Sequence, residues 1–267
     1  MRWNVPLICL LALISLLLMS CVVALVDYPG SSTQFPSAQF HRVLSLKPGG
    51  TLSLVNNDGQ IEIYGWDREE VEIFAEYVFP GWQGYRLRVF SPGRFKPRVD
   101  VDKFEDFVKI KTRQTADEPT RNAVDYDLNV PRSVILKDIV GRRGDIRIGD
   151  LYGEAFIELE EGEVRVENFS GSLTISVVRG SVILELLDLR SGDEIRATTD
   201  EGDITIYLQP EVEAHVEARA PSGSISSEFD LRVPLPAKEV SAQIKGEGGA
   251  FLFLETSAGD IQIRKIE

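Results

Sequence analysis

A glycine recurs every nine residues through the middle of this chain, at Gly144, Gly153, Gly162, Gly171 and Gly180. Most of these glycines open the same short unit, in which a small or acidic residue is followed by two apolar residues flanking a polar one. Gly144-Asp145-Ile146-Arg147-Ile148, Gly162-Glu163-Val164-Arg165-Val166, Gly171-Ser172-Leu173-Thr174-Ile175, Gly180-Ser181-Val182-Ile183-Leu184, Gly202-Asp203-Ile204-Thr205-Ile206, Gly223-Ser224-Ile225-Ser226 and Gly259-Asp260-Ile261-Gln262-Ile263 are copies, and Asp58-Gly59-Gln60-Ile61-Glu62-Ile63 is an earlier one. Alternation of apolar and polar residues has the period of a strand with one buried and one wet face. Glycine tolerates the positive φ of a tight corner, and an Asp, Glu or Ser after it can close the turn on nearby backbone N–H groups. Gly144, Gly162, Gly180, Gly202, Gly223 and Gly259 are therefore read as structural turn residues. Two strand-plus-turn units make a repeat of 18 to 21 residues, with Gly202 to Gly223 as the longer step, which is a solenoid-like period.

Helix has little place in this pattern. Val212 to Ala220 is helix-friendly in composition, but its apolar residues alternate strictly and Pro210 and Pro221 bracket it, so it reads as strand. The region 43–132 is less regular and also β in pattern. Val71, Ile73, Ala75, Tyr77 and Phe79 alternate with their neighbours, and Pro80 to Gly84 reads as a hairpin tip leading into a strand from Tyr85 to Val89. Gln114 to Ala123 reads as a polar loop, and Val124 to Pro131 opens the second strand series. The region 133–267 carries the repeats, and 43–267 is expected to form one continuous domain.

Ahead of the domain lies an apolar segment, residues 1–26, in which no charge interrupts the 22 residues from Val5 to Val26. About 20 apolar residues suffice to cross a bilayer's hydrocarbon, so this is a signal peptide or a membrane anchor helix. Leu18-Met19-Ser20-Cys21 resembles the lipobox of bacterial lipoproteins, and on that resemblance Cys21 is the lipidation site. A signal anchor remains the alternative. Either way Cys9 and Cys21 stay out of the folded domain, which can then form no internal disulfide. Residues 27–42, with Pro29, Gly30, Ser31, Ser32 and Pro36, read as a linker.

Asn56-Asn57-Asp58-Gly59-Gln60-Ile61-Glu62-Ile63, then Gly65-Trp66-Asp67, then Tyr126-Asp127-Leu128-Asn129-Val130-Pro131, then the serial Gly-Asp-Ile strands, together resemble a bacterial domain-of-unknown-function family labelled putative adhesin. The resemblance covers Phe40 to the C-terminus. It implies an all-β fold, a repeat β-solenoid or rolled β-sandwich of short strands, in the cell envelope. It brings no catalytic residues with it.

Composition narrows the chemistry. The 267 residues carry 29 Lys and Arg against 42 Asp and Glu, a net charge of −13, so no basic footprint for nucleic acid is present. Two His and two Cys without a Cys-x-x-Cys leave no metal-ligand set to write, and no cofactor is expected. Asp145, Asp203 and Asp260 share one repeat position. The paired-glycine pattern of calcium-binding repeats is missing, so they read as turn caps. Glu158, Glu160, Glu161, Glu163 and Glu167 cluster in sequence and are the residues a carbohydrate-active β-helix enzyme would use, whereas on wet strand faces they are ordinary solvated charge. From Tyr77 to Arg98 five basic residues and no acidic one interleave with aromatics, a local charge of +5. Trp82, Arg86, Arg88 and Arg94 are the candidate contacts to an anionic lipid or glycan surface. The expected function is that of a membrane-tethered, extracytoplasmic binding or scaffold protein without catalysis, whose partners are the membrane through its anchor or lipid and an envelope glycan, lipid or protein, with a carbohydrate-active enzyme as the alternative.

Overall fold

A computed structural model describes residues 39–78, 98–113, 123–246 and 248–266. These hold strands and turns, all within the compact unit Ser37–Glu267. Eighteen strands join in one continuous sheet that folds back on itself as two walls around a shared core.

Wall one runs, neighbour by neighbour, through β1 (Gln39–Ser45), β4 (Glu70–Val78), β7 (Ala123–Pro131), β3 (Ile61–Trp66), the first halves of β9 (Ile146–Glu161) and β10 (Val164–Arg179), then β11 (Val182–Leu186), β13 (Ile204–Leu208), β18 (Ile261–Lys265) and β15 (Ile225–Ser227). Wall two runs through β5 (Arg98–Phe104), β6 (Phe107–Arg113), β2 (Thr51–Asp58), β8 (Ile135–Arg143), the second halves of β9 and β10, β12 (Glu194–Glu201), β17 (Ala250–Ala258), β14 (Ala214–Arg219) and β16 (Glu239–Ile244). The interior pairings are parallel, and the antiparallel ones, β1 on β4, β4 on β7, β5 on β6 and β16 on β14, lie toward the ends. The fold is a two-walled all-β solenoid.

The alternation seen in the sequence is the alternation of burial. Ile204, Ile206 and Leu208 point inward while Thr205 and Tyr207 face out, and Ile261 and Ile263 repeat the arrangement on the adjacent strand. Each such Ile, Leu or Val gains ~1.5–3 kcal/mol on full burial, so the stacked rungs share one apolar column that no single rung could form.

Three features differ from the sequence reading. The strands are not all short: β9 and β10 run 16 residues each, through the corner that links the walls. They remain hydrogen-bonded around it because both bend at matching positions, Asp150 pairing with Asn168 at φ 58° and 55° and Gly153 with Gly171. The linker expected over 27–42 ends earlier, since Gln39 to Arg42 already belong to β1, whose Phe40 and Leu44 pack against the core. The chain order of the repeats is not their stacking order. The rung after β12 and β13 is β17 and β18, and β14 and β15 lie beyond it, so Gly202 and Gly223 are not successive rungs. At the other end β2 and β3 likewise sit between the rung of β6 and β7 and that of β8 and β9. The hairpin expected from Pro80 to Val89 lies outside the described residues, as do Cys21, Trp82, Arg86, Arg88 and Arg94.

Candidate functional site

The turns that lead from wall two into wall one form a single column. Gly59, Gly144, Gly162, Gly180, Gly202, Gly259 and Gly223 stack in that order, each too close to its neighbour's backbone to carry a side chain. Gly202 illustrates the constraint: its φ is 149°, and a Cβ there would lie 2.1 Å from the carbonyl oxygen of Gly180. Gly223 has no left-handed φ, and packing alone requires it, a Cβ falling 1.7 Å from the Gly259 carbonyl oxygen.

Side chains after these glycines tie the rungs together. Asp145 Oδ1 accepts the backbone N–H of Glu163 at 2.9 Å, Asp203 that of Asp260 at 2.8 Å, and Asp260 that of Ser224 at 2.7 Å. Inside the turns, Thr199 Oγ1 donates to the Gly180 carbonyl at 3.0 Å and Thr256 Oγ1 to that of Gly202 at 2.8 Å, which satisfies buried acceptors that would otherwise carry a desolvation penalty. The shared Asp position thus serves as a capping device. Among the described residues no group of three or more His, Cys, Asp or Glu is arranged to hold a metal ion.

The sequence-clustered glutamates are dispersed by the fold. Glu158 and Glu160 face out from wall two, and Glu161 at the turn pairs with Arg179 of the next rung at 3.6 Å. Glu163 and Glu167 belong to wall one, where they flank Arg165 at 3.0 and 3.6 Å.

A different acidic group comes together on the outer face of wall one, from three strands distant in sequence. The register sets Glu62 of β3 beside Asp127 of β7, with Asn129 opposite Glu72 of β4. Burial, with the charges of Glu62 and Glu72, raises the carboxyl of Asp127 above its ordinary value. A hydrogen bond from His41, 2.9 Å away, holds Glu72 below its own. Glu62 is paired with Arg147 at 3.1 Å, and burial together with Glu62 and Glu167 raises the Tyr64 hydroxyl. One carboxyl that keeps its proton longer thus stands among charged ones, a pattern that supports proton transfer or cation contact. Glu62 and Asp127 lie in two of the motifs that carry the family resemblance, but nothing in either motif sets them side by side.

Wall two carries paired aromatics on its outer face. The rings of His215 and Phe251 stack with centroids 5.9 Å apart and planes 13° from parallel, and the Arg196 guanidinium lies 4.4 Å from the Phe253 ring centroid. Such cross-strand pairs are worth a fraction of a kcal/mol to ~1 kcal/mol each.

Parallel rungs, glycine corners stacked in one column and Asp caps bridging successive turns define a capped β-solenoid of the repeat class. Residues 136–264, from β8 to β18, match the Toastrack DUF4097 family model. Among solved structures the chain is similar to a putative cell adhesion protein from Clostridium sporogenes, at 13% identity over 85% of this chain and 100% of that one, with a TM-score of 0.43. It is similar also to a putative adhesin from Bacteroides fragilis, at 13% identity over 85% and 97% of the two chains with a TM-score of 0.35. A third likeness, to a putative lipid binding protein from Parabacteroides distasonis, has 10% identity over 91% and 99% with a TM-score of 0.24. No curated protein matches.

Proposed function

We propose that this protein is a membrane-tethered, extracytoplasmic β-solenoid that binds or scaffolds rather than catalyses. The observation that carries the reading is the dispersal of Glu158, Glu160, Glu161, Glu163 and Glu167 over two walls and a turn, where Arg165 and Arg179 pair with three of them. A glycosidase holds two free carboxyls ~5 to 10 Å apart about one bond, whereas here Glu161, Glu163 and Glu167 are each taken up by an arginine. The apolar segment Val5 to Val26 supplies the tether, lipidated at Cys21 or kept as a signal anchor. Trp82, Arg86, Arg88 and Arg94, in a stretch of charge +5, contact an anionic lipid or glycan surface near that tether.

Binding of the full chain in detergent to anionic vesicles, neutral vesicles and cell-wall glycan tests this reading. Wild type should bind an anionic surface in a salt-sensitive way, and Arg86, Arg88 and Arg94 changed together to Gln should lose that binding. Binding to none of the three surfaces at low salt contradicts it.

The acidic group of Glu62, Asp127 and Glu72 supports a second reading, a carbohydrate-active enzyme working on the face of wall one. Chain shortening of an envelope polysaccharide by wild type and not by Asp127→Asn would favour it over the binding role.

A further inference from the structure

The longer stretches of chain outside the described residues all leave the solenoid at one place. Residues 1–38 join it at Gln39, residues 79–97 run from Val78 to Arg98, and residues 114–122 run from Arg113 to Ala123. The register sets Gln39 beside Glu76, Val78 beside Ala123 and Arg98 beside Arg113, and it sets Tyr126 beside Ile61, just after Gly59. All five strand ends therefore lie on the glycine side of the first rungs, at the end of the column that Gly59 opens. Charge changes along that column. The turns at Gly162, Gly180, Gly202 and Gly259, taken from two residues before each glycine to one after, hold seven acidic residues and one basic, Arg179. The turns at Gly59 and Gly144 hold Asp58 and Asp145 against Arg142 and Arg143, and the strand ends next to them hold Glu76, Asp100 and Asp125 against Lys111 and Arg113. That leaves one acid in excess at the first rungs, and the stretch from Tyr77 to Arg98, which begins and ends there, brings a charge of +5.

We propose that this end of the solenoid faces the membrane, and that the stack stands away from an anionic lipid surface with β15 and β16 outermost. The proposal rests on the reading of residues 1–26 as the tether. The linker from Asp27 to Ala38 has twelve residues, and a flexible chain of that length spans about 20 Å. Each wall has ten strands, and nine spacings of ~4.8 Å make it about 43 Å from end to end. A tether that joins the domain at Gln39 therefore keeps the first rungs near the bilayer far more readily than the last. Charge acts in the same sense. Anionic head groups attract the stretch of +5 and repel the acidic turns farther along, which keeps the solenoid from lying down on its glycine side. The stacked rings of His215 and Phe251, on β14 and β17 toward the outer end, are then held clear of the lipid.

The test places a fluorescent amino acid at Gln60 or at Ser222 of the full chain, reconstituted in anionic or neutral vesicles that contain an acceptor-labelled lipid. The two positions adjoin Gly59 and Gly223, the first and last glycines of the column. Over the six spacings between them, ~29 Å, energy transfer at position 60 on anionic vesicles should exceed that at 222 about threefold. The excess should shrink on neutral vesicles, where the linker alone sets the orientation. Equal transfer at the two positions, or greater transfer at 222, overturns the proposal and leaves the tether in place. An excess of the same size on neutral vesicles overturns the part given to anionic lipid. A chain that does not float with vesicles of either kind overturns the tether reading, and the proposal with it.

Discussion

Asp203 accepts the backbone N–H of Asp260 at 2.8 Å, a contact between residues 57 apart in the chain and adjacent in the stack. It marks where the final strands, β17 and β18, enter between the rung of β12 and β13 and that of β14 and β15. The last repeat in sequence is therefore not the last in space, and the solenoid's end is built by strands that precede it.

That hydrogen bond should have a measurable worth. Asp203→Ala removes the acceptor and leaves the Asp260 amide without it, which should lower stability by about 1 kcal/mol. Asp203→Asn keeps an acceptor oxygen and should lose less. Denaturant unfolding of the two variants checks the order.

The glycine column separates conformational strain from crowding. Gly192 has φ 99° with open space for 4 Å around the point where a Cβ would stand, whereas at Gly202 a Cβ meets the Gly180 carbonyl oxygen at 2.1 Å. Gly192→Ala should destabilise by ~1 kcal/mol from the left-handed backbone alone. Gly202→Ala adds a backbone collision, should cost several-fold more, and Gly202→Val more again. Equal melting of Gly192→Ala and Gly202→Ala would contradict the stacking.

Alkali should find the buried network beneath the first rungs. Thr112 Oγ1 lies 2.7 Å from the Tyr126 hydroxyl and donates to Asn56 at 2.9 Å, and burial pushes the Tyr126 hydroxyl up to about 12. The folded state therefore holds a proton that the unfolded chain releases near pH ~10. The stability tied to Tyr126 is full below that value and is lost as pH rises toward 12. Unfolding free energy followed from pH 9 to 12 should fall, and Tyr126→Phe should flatten part of that fall while lowering stability at neutral pH.

The acidic group on wall one predicts opposite slopes in acid. Asp127, raised by burial and by Glu62 and Glu72, is disfavoured as a carboxylate, so its protonation helps the fold as pH drops. Glu72, lowered chiefly by the His41 hydrogen bond, contributes stability at neutral pH that is lost as pH falls through its folded value. Asp127→Asn should raise the melting temperature at pH 7 and converge on wild type in acid, and Glu72→Gln should lower it at pH 7. Thermal melts of both across pH 3 to 7 decide.

Local signals revealed the rungs and hid their arrangement. Period-two alternation around Ile204 and Ile261 follows from one buried and one wet face, and the glycines before them from a corner without room for a side chain, so both are legible in a single unit. Stacking order is not, because Gly202-Asp203-Ile204 and Gly259-Asp260-Ile261 are nearly the same unit, and only pairing between distant strands decides their neighbours. The group of Glu62, Glu72 and Asp127 was unreadable for a related reason: it joins three strands, one of them antiparallel to its neighbour, and the motifs that hold Glu62 and Asp127 do not say that their strands are neighbours. Phe40 and Leu44 share their face of β1 with Arg42 while Val43 stands exposed, so Gln39 to Ser45 lacks the apolar–polar alternation that announces a strand.

The insertion of the C-terminal rung is tested most directly by paired cysteines on the outer face of wall one. Thr205 and Gln262 are register partners on β13 and β18, and Ser226 lies one strand beyond on β15. Neighbouring strands bring Cα atoms within the ~4.4–6.8 Å that a disulfide spans, and next-nearest strands do not. Oxidation of the full chain, mapped by mass spectrometry, should join positions 205 and 262 in the pair Thr205→Cys with Gln262→Cys and leave Thr205→Cys with Ser226→Cys open. A disulfide between 205 and 226 without one between 205 and 262 would mean that the repeats stack in chain order.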